Sequence, residues 1–392
     1  MEPAPVDAEG YFSEEEIDRA RRYQRPRRAL GLLALGVEGG ALALVTMRPP
    51  RALQKAESRP IAGAAAVGAG LSAGLTALGL PLNAVNHRRA VDAGISVQSW
   101  GGWLGDVGKA TAIETGMAAA GSAGAMLVIR RYPDSWWAPV SASAMALSAL
   151  LVALQPVLLD PVFNKFTPLE KGELRSEVLE LAGRAGVDVG EVYRVDASRR
   201  TTAANAYVNG LGRTKRVVLF DTLLRDFPPA EVSSVVAHEL SHVKHRDVPR
   251  FLAWMGIAAP AAAHLVQRLA ERLAGDTRNG PAMLPALALS AGMVSFFGGV
   301  AGTALSRRVE VRADVFSLDL AGDPDAFISL ERRLAIKALA DPKPPALLQK
   351  LFGTHPPTVD RIGLALAWAA TRRPLPGGTA AAAAPRRTPE GS

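Results

Sequence analysis

Charge-free stretches alternate with strongly charged ones along this chain, and the alternation sets the first expectations. A helix crossing the hydrocarbon core of a bilayer needs about 20 predominantly apolar residues. Ile61 to Leu80, Ser135 to Leu159 and Pro281 to Ser306 meet that requirement without a single charge. Three further windows come close. Ala29 to Met47 contains Glu38, Val107 to Ile129 carries Lys109 and Glu114 near its start, and Phe251 to Gln267 holds Pro260 and His264. The last is short enough to be a buried helix of a soluble domain instead. Together the windows predict about six spans. Tyr132, Trp136 and Trp137 stand where an interfacial aromatic belt would. The windows are rich in Gly, Ala and Ser, which let helices approach closely in lipid.

Between the fourth and fifth windows the pattern changes. Glu170 to Arg184 has helical periodicity, whereas Glu191–Val195, Ala206–Asn209 and Arg216–Phe220 read as short strands. Pro228 and Pro229 then open a helix that runs to about Lys244. Asp323 to Ala340 reads as an amphipathic helix with Phe327, Ile328, Leu330, Leu334 and Leu339 inward, and Arg373 to Ser392 as a disordered tail.

Composition narrows the class. With 392 residues and 48% hydrophobic content the chain is no disordered protein, and a mean hydropathy of +0.12 averages over two populations, membrane and soluble. The absence of cysteine excludes disulfides, thiolate metal sites and cysteine nucleophiles. Arg19, Arg21, Arg22, Arg25, Arg27 and Arg28 precede the first span, which puts the N-terminus, and with an even span count the soluble insert, on the cytoplasmic side. The net charge of +8 then fits anionic lipid headgroups. No basic run interleaved with stacking aromatics suggests nucleic acid. The acidic Glu14-Glu15-Glu16 and a long polar lead argue against a signal peptide.

The chemistry sits on the helix opened by the prolines. His238-Glu239-Leu240-Ser241-His242 is an HExxH motif, and its i,i+4 spacing puts two imidazoles on one helix face, as two ligands of one tetrahedral zinc require. Glu239 is placed to act as the general base on metal-activated water. His245 falls near the same face but about 10 Å further along the axis, too far to share that metal, and reads as a solvated or supporting residue. A third protein ligand is still needed. Glu310 and Asp314, again i,i+4, follow the sixth window; they are either ligand and partner or a solvated charged face at a membrane exit. His355, between Thr354 and Pro356, reads on its own as a turn histidine.

Several segments, in this order and spacing, are similar to those of the integral-membrane zinc metalloproteases that include CAAX prenyl protease 1 and bacterial relatives. They are Asp160 to Leu169 (DPVFNKFTPL), Asn205-Ala206-Tyr207, Lys215 to Leu224 (KRVVLFDTLL), the HELSH motif, Glu310 with Asp314, and Thr354 to Arg361 (THPPTVDR). The resemblance runs from about Arg19 to Arg361. It implies a mainly α polytopic helix bundle enclosing a chamber, with a small α+β zincin-like catalytic domain. It implies one Zn2+ per chain held by His238, His242 and Glu310, with Asp314 orienting a ligand and Arg361 supporting that region. Asn205 would hold the substrate backbone in the β-augmentation mode, and His355 would stabilise the oxyanion. A water-filled chamber would accommodate Glu38 and Glu114. The eukaryotic members carry one further N-terminal span, so this chain looks one helix short.

The expected organisation is an N-terminal segment 1–28, four spans in 29–159, a catalytic zinc domain in 160–250, a two-span hairpin in 251–306, the remainder of the catalytic domain in 307–372, and the tail 373–392. The expected activity is metal-assisted endoproteolysis. Its substrate would be a peptide or protein, lipidated at a CAAX end or membrane-bound and awaiting disposal. A transporter, or a catalytically silent scaffold, would explain the spans but leave the HExxH helix without a role.

Overall fold

The computed structural model describes residues 1–210, 215–275 and 279–372; the expected tail lies outside the described residues. The chain opens with α1 (Glu14–Met47), α2 (Arg51–Ala56), α3 (Pro60–Asp92), α4 (Trp100–Arg131) and α5 (Trp137–Leu154). A π turn over Gln155–Leu159 leads into α6 (Asp160–Phe163). The soluble insert follows: β1 (Phe166–Pro168), α7 (Glu173–Ala185), β2 (Glu191–Val195), β3 (Ala206–Asn209), β4 (Arg216–Phe220), α8 (Asp221–Asp226) and α9 (Pro229–Lys244). Two long helices, α10 (Asp247–Ala274) and α11 (Leu284–Ala321), return through the apolar layer, and α12 (Pro324–Lys337), α13 (Ala346–Phe352) and α14 (Thr358–Arg372) complete the fold.

Among the described residues 5 helical segments are long and apolar enough to cross a membrane: Glu14–Met47, Pro60–Asp92, Trp100–Arg131, Trp137–Phe163 and Pro281–Ala321. They leave an apolar skin exposed, with Leu32, Leu44, Leu127, Leu150 and Phe297 pointing outward. Water would penalise that surface and lipid would not. The fifth window, Phe251 to Gln267, lies in α10, outside that set. Charged ends (Asp247, Arg250, Arg268, Glu271) and Pro260 and His264 within dilute its hydropathy, although Phe251, Trp254 and Ile257 are exposed like the belt of its neighbours. The small residues serve close packing: a Cβ on Gly68 of α3 would come within 2.1 Å of Ser122 Oγ on α4.

Trp136 departs from the aromatic-belt expectation. It is 2% exposed and packs with Ile129, Ala270 and Met283 where α10 meets the start of α5, while Tyr132 is the exposed member. Gln267 fixes this corner, accepting from Trp137 N (3.1 Å) and donating to Asp134 O (3.1 Å).

The soluble insert builds one sheet in the order β1-β2-β4-β3, with β2 and β4 parallel and both outer strands antiparallel. Alternation along β4 sends Val217 and Leu219 into a core with Val178, Leu181, Leu223, Val236 and Leu240 from α7, α8 and α9, and Val218 to the opposite face with Val195. β1 was not expected as a strand, and α7 starts at Glu173 rather than Glu170 because Gly172 is still extended. Residues 306 and 307 both lie inside α11, which runs unbroken from the apolar layer into the soluble one. The N-terminal segment is tied to the last helix: Ala4 N donates to Gly363 O at 3.0 Å, and a Cβ at 363 would sit 2.1 Å from Ala4 O.

Candidate metal and active site

Pro229 at the first turn starts α9 without the cost of an unpaired amide, and the following 16-residue helix carries His238 buried and His242 half-buried on its inner face. Their Nε2 atoms converge to 3.3 Å. Each ring is held from behind. His238 Nδ1 donates to Asp314 Oδ1 and His242 Nδ1 to Asp247 Oδ2, both at 2.9 Å. A carboxylate on each Nδ1 accepts a hydrogen bond from that nitrogen's proton, so both Nε2 atoms are turned toward one point.

α11 brings Glu310 to that point. Its Oε2 lies 3.2 Å from His238 Nε2 and its Oε1 3.9 Å from His242 Nε2. Glu310 Oε2 is buried without a well-aligned hydrogen bond, although His355 Nδ1 approaches it to 2.8 Å from the turn before α14. A tetrahedral cation with bonds of about 2.0–2.1 Å sets its ligands roughly 3.3–3.4 Å apart. Two imidazole nitrogens 3.3 Å apart and a carboxylate 3.2–3.9 Å from them are close to that spacing and fit a metal. Burial disfavours the His238 imidazolium, yet Asp314 and Glu310 more than offset it and hold its pKa up at about 10. The same excess of negative charge favours any cation there. The Glu239 carboxylate lies within 4.8 Å of the ligand atoms of both histidines, and burial pushes its pKa up.

Behind each imidazole runs a short relay. Asp314 is 0% exposed and accepts from Arg361 Nε at 2.8 Å and from its Nη2, and Arg361 Nη1 reaches Glu331 at 2.7 Å. On the other side Asp247 pairs with Arg312. Thus His238, Glu239, His242, Glu310, Asp314, His355 and Arg361 come together. Asn205 stands at the head of β3, exposed, with its side chain accepting from Ala206 N at 2.9 Å. The far edge of β3 has no partner strand among the described residues. A cavity of about 520 Å³ adjoins the site, lined by Ala203, Ala204, Glu331, His355, Thr358 and Arg361. His245 ends α9, bonded to Ser241 and edge-on to Phe316 at 5.5 Å.

Asp247, Arg312 and Glu331 were not anticipated from the sequence. Asp247 left one clue, an acidic residue in the first turn after the HExxH helix breaks at Arg246, whose φ is 54°. Glu331 left none.

Two imidazoles and two carboxylates gathered at the soluble end of a membrane-helix bundle suit an integral-membrane metalloprotease, an enzyme that acts on a peptide or protein, and a family-model match shows that class. The chain belongs to peptidase family M48: that family's model matches residues 168–369, and the CAAX prenyl protease N-terminal model, of five membrane helices, matches residues 1–165. Among relatives, the uncharacterized metalloprotease YhfN of Bacillus subtilis is 31% identical over 295 residues, covering 73% of this chain and 69% of that one. CAAX prenyl protease 1 of Saccharomyces cerevisiae is 37% identical over 116 residues, 29% of this chain and 26% of the yeast protein. The crystal structure of S. mikatae Ste24p superposes with a TM-score of 0.82 over 93% of this chain and 92% of that one, at 21% identity, and so shares the fold.

Proposed function

We propose that the protein is a zinc-dependent endopeptidase of the membrane surface, with His238, His242 and Glu310 as ligands. The observation that carries this reading is the convergence of two Nε2 atoms, 3.3 Å apart, and the buried Glu310 carboxylate, 3.2 Å and 3.9 Å from them, with both Nδ1 atoms already tied to carboxylates. Two nitrogens and one oxygen, leaving one position open, are the donor set of catalytic zinc. Bound there, zinc supplies Lewis acidity that polarises a carbonyl and lowers the pKa of water towards about 7.

The protein's own groups do the rest. Glu239, made more basic by burial, takes the proton of the attacking water and returns it to the leaving amine. His355, its side chain 61% exposed, donates to the developing oxyanion. Asp314 and Arg361 hold the His238 ring. The open edge of β3 accepts the substrate as an added strand, registered by Asn205. Residues 160–250 and 307–372 form the catalytic unit around the 251–306 hairpin, and the arginines ahead of the first span support a cytoplasmic side for it. The partners are the bilayer and a membrane-presented or lipidated peptide, with no role for nucleic acid.

The test is cleavage of an unstructured reporter peptide, with and without a prenylated CAAX end, by zinc-loaded wild type and Glu239→Gln in detergent. Loss of turnover by about 10²–10⁴-fold in the variant, zinc retained, is expected. Equal turnover by both proteins would sink the assignment. A gain from the prenyl group would define the substrate as lipidated.

A further inference from the structure

Glu331 is a buried carboxylate, 4% exposed, that no step above uses. It sits on α12, one helical turn after Phe327, and the two side chains grip one guanidinium. Glu331 Oε2 meets Arg361 Nη1 at 2.7 Å, and the Phe327 ring lies beneath Arg361 with its centroid 5.7 Å from Cζ. The i,i+4 spacing makes this possible, since it stacks both side chains on one helix face. The rest of the guanidinium is engaged too. Its Nε and Nη2 form a fork onto the two oxygens of Asp314, whose Oδ1 also receives His238 Nδ1 at 2.9 Å. A planar guanidinium with a ring on one face and carboxylates on two of its edges has little freedom to tilt.

Arg361 also lies one turn into α14, directly after the turn that presents His355 to Glu310. Fixing this side chain therefore fixes two things, the Asp314–His238 relay and the start of the helix behind His355. We propose that Glu331 is a positioning residue, acting through Arg361 to set the orientation of the His238 imidazole and the placement of His355. The proposal rests on the metal-site reading given above.

Glu231 provides an internal comparison. It is 3% exposed, lies on α9 and faces the same helix α12 through Ser329 (2.6 Å) and Arg333 (3.1 Å), but touches neither Arg361 nor Asp314. It joins α9 to α12 without entering the relay. If burial of a carboxylate at this interface were all that mattered, the two residues would respond alike.

The experiment compares wild type, Glu331→Gln, Glu231→Gln, Arg361→Gln and the Glu331→Gln/Arg361→Gln double variant in detergent. Zinc affinity is read by competition with a chromophoric chelator, kcat and KM on the reporter peptide, and folding by thermal melting. Loss of a residue supporting a metal ligand costs about 10–100-fold, and the more remote Glu331→Gln is expected at the lower end, about 10-fold in both zinc affinity and kcat, with KM unchanged. Glu231→Gln should lower only the melting temperature. The double variant should be no worse than Arg361→Gln alone. Equal effects of Glu331→Gln and Glu231→Gln, or full additivity in the double variant, would overturn the proposal while leaving the metal site standing. A wild type that binds no zinc would overturn the site reading, and this inference with it.

Discussion

Asp247 offers a sharp test of how the metal site is held. Replacing it with Ala removes the acceptor 2.9 Å from His242 Nδ1 and leaves the ring free to turn or to change tautomer. A hydrogen bond to a charged group contributes about 1.5–3 kcal/mol. The His242 and Asp247 side chains are 24% and 13% exposed, so water competes and the lower part of that range applies. About 1.5–2 kcal/mol corresponds to roughly 10–30-fold, at about 1.4 kcal/mol per tenfold. Zinc affinity of Asp247→Ala, read by chelator competition, should fall by that factor. Asp247→Asn keeps an oxygen for Nδ1 and should lose far less. Folding should lose only about 1–2 kcal/mol, about 0.3–1 from the acidic residue in the first turn of α10 and up to about 1 from its partly exposed pair with Arg312. Zinc affinity in Asp247→Ala within about twofold of wild type would refute the idea that this carboxylate sets the imidazole.

Two further outcomes follow from the packing and the charges. The hydrogen bond from Arg225, with help from Lys337, depresses the Asp226 pKa below its ordinary 3.8, despite the opposing effect of burial. A depressed folded-state value stabilises above pH 3.8 and is lost as the pH falls further, so Asp226→Asn should trail wild type in denaturant melts at pH 7 by about 1 kcal/mol; a margin unchanged at pH 2 would contradict the linkage. Leu219, fully buried on the central strand β4, should cost about 2–5 kcal/mol when cut to Ala, and a melt shifted by less than a degree would mean that the sheet core is not where the stability lies.

The sequence made some of the site readable and hid the rest for physical reasons. Two histidines at i,i+4 on a helix must share a face, so His238 and His242 needed only the helix. Glu310 and Asp314 have the same spacing, yet spacing does not distinguish a ligand pair from a solvated face; what separates them is the packing of α11 against α9, a tertiary fact. Asp247 was hidden by Arg246, whose left-handed backbone ends the helical period and with it any inference about where the next side chain points. Trp136 misled because a belt argument uses position along the helix and ignores which face meets α10. Glu331 sits beside Leu330 on an amphipathic helix, where a charge reads as rim, and its burial depends on an arginine thirty residues later. The apolar window around Phe251 shows the limit of composition: α10 lies with its neighbours but carries too many charges and breaks to be counted with them.

The unbroken course of α11 from the apolar layer to the site bears on how the enzyme comes into being. His238, Glu239 and His242 leave the ribosome on α9, but Glu310 follows only after α10 and most of α11, and His355 and Arg361 come later still. If the proposed roles hold, a half-made chain owns Glu239 without the means to use it, since Glu310 and His355 are still unsynthesised. On the proposed assignment, the order of segments alone would keep the site incomplete during biogenesis. On that assignment a chain halted before residue 310 would carry two of the three ligands and no complete metal site, however well its first helices had been inserted.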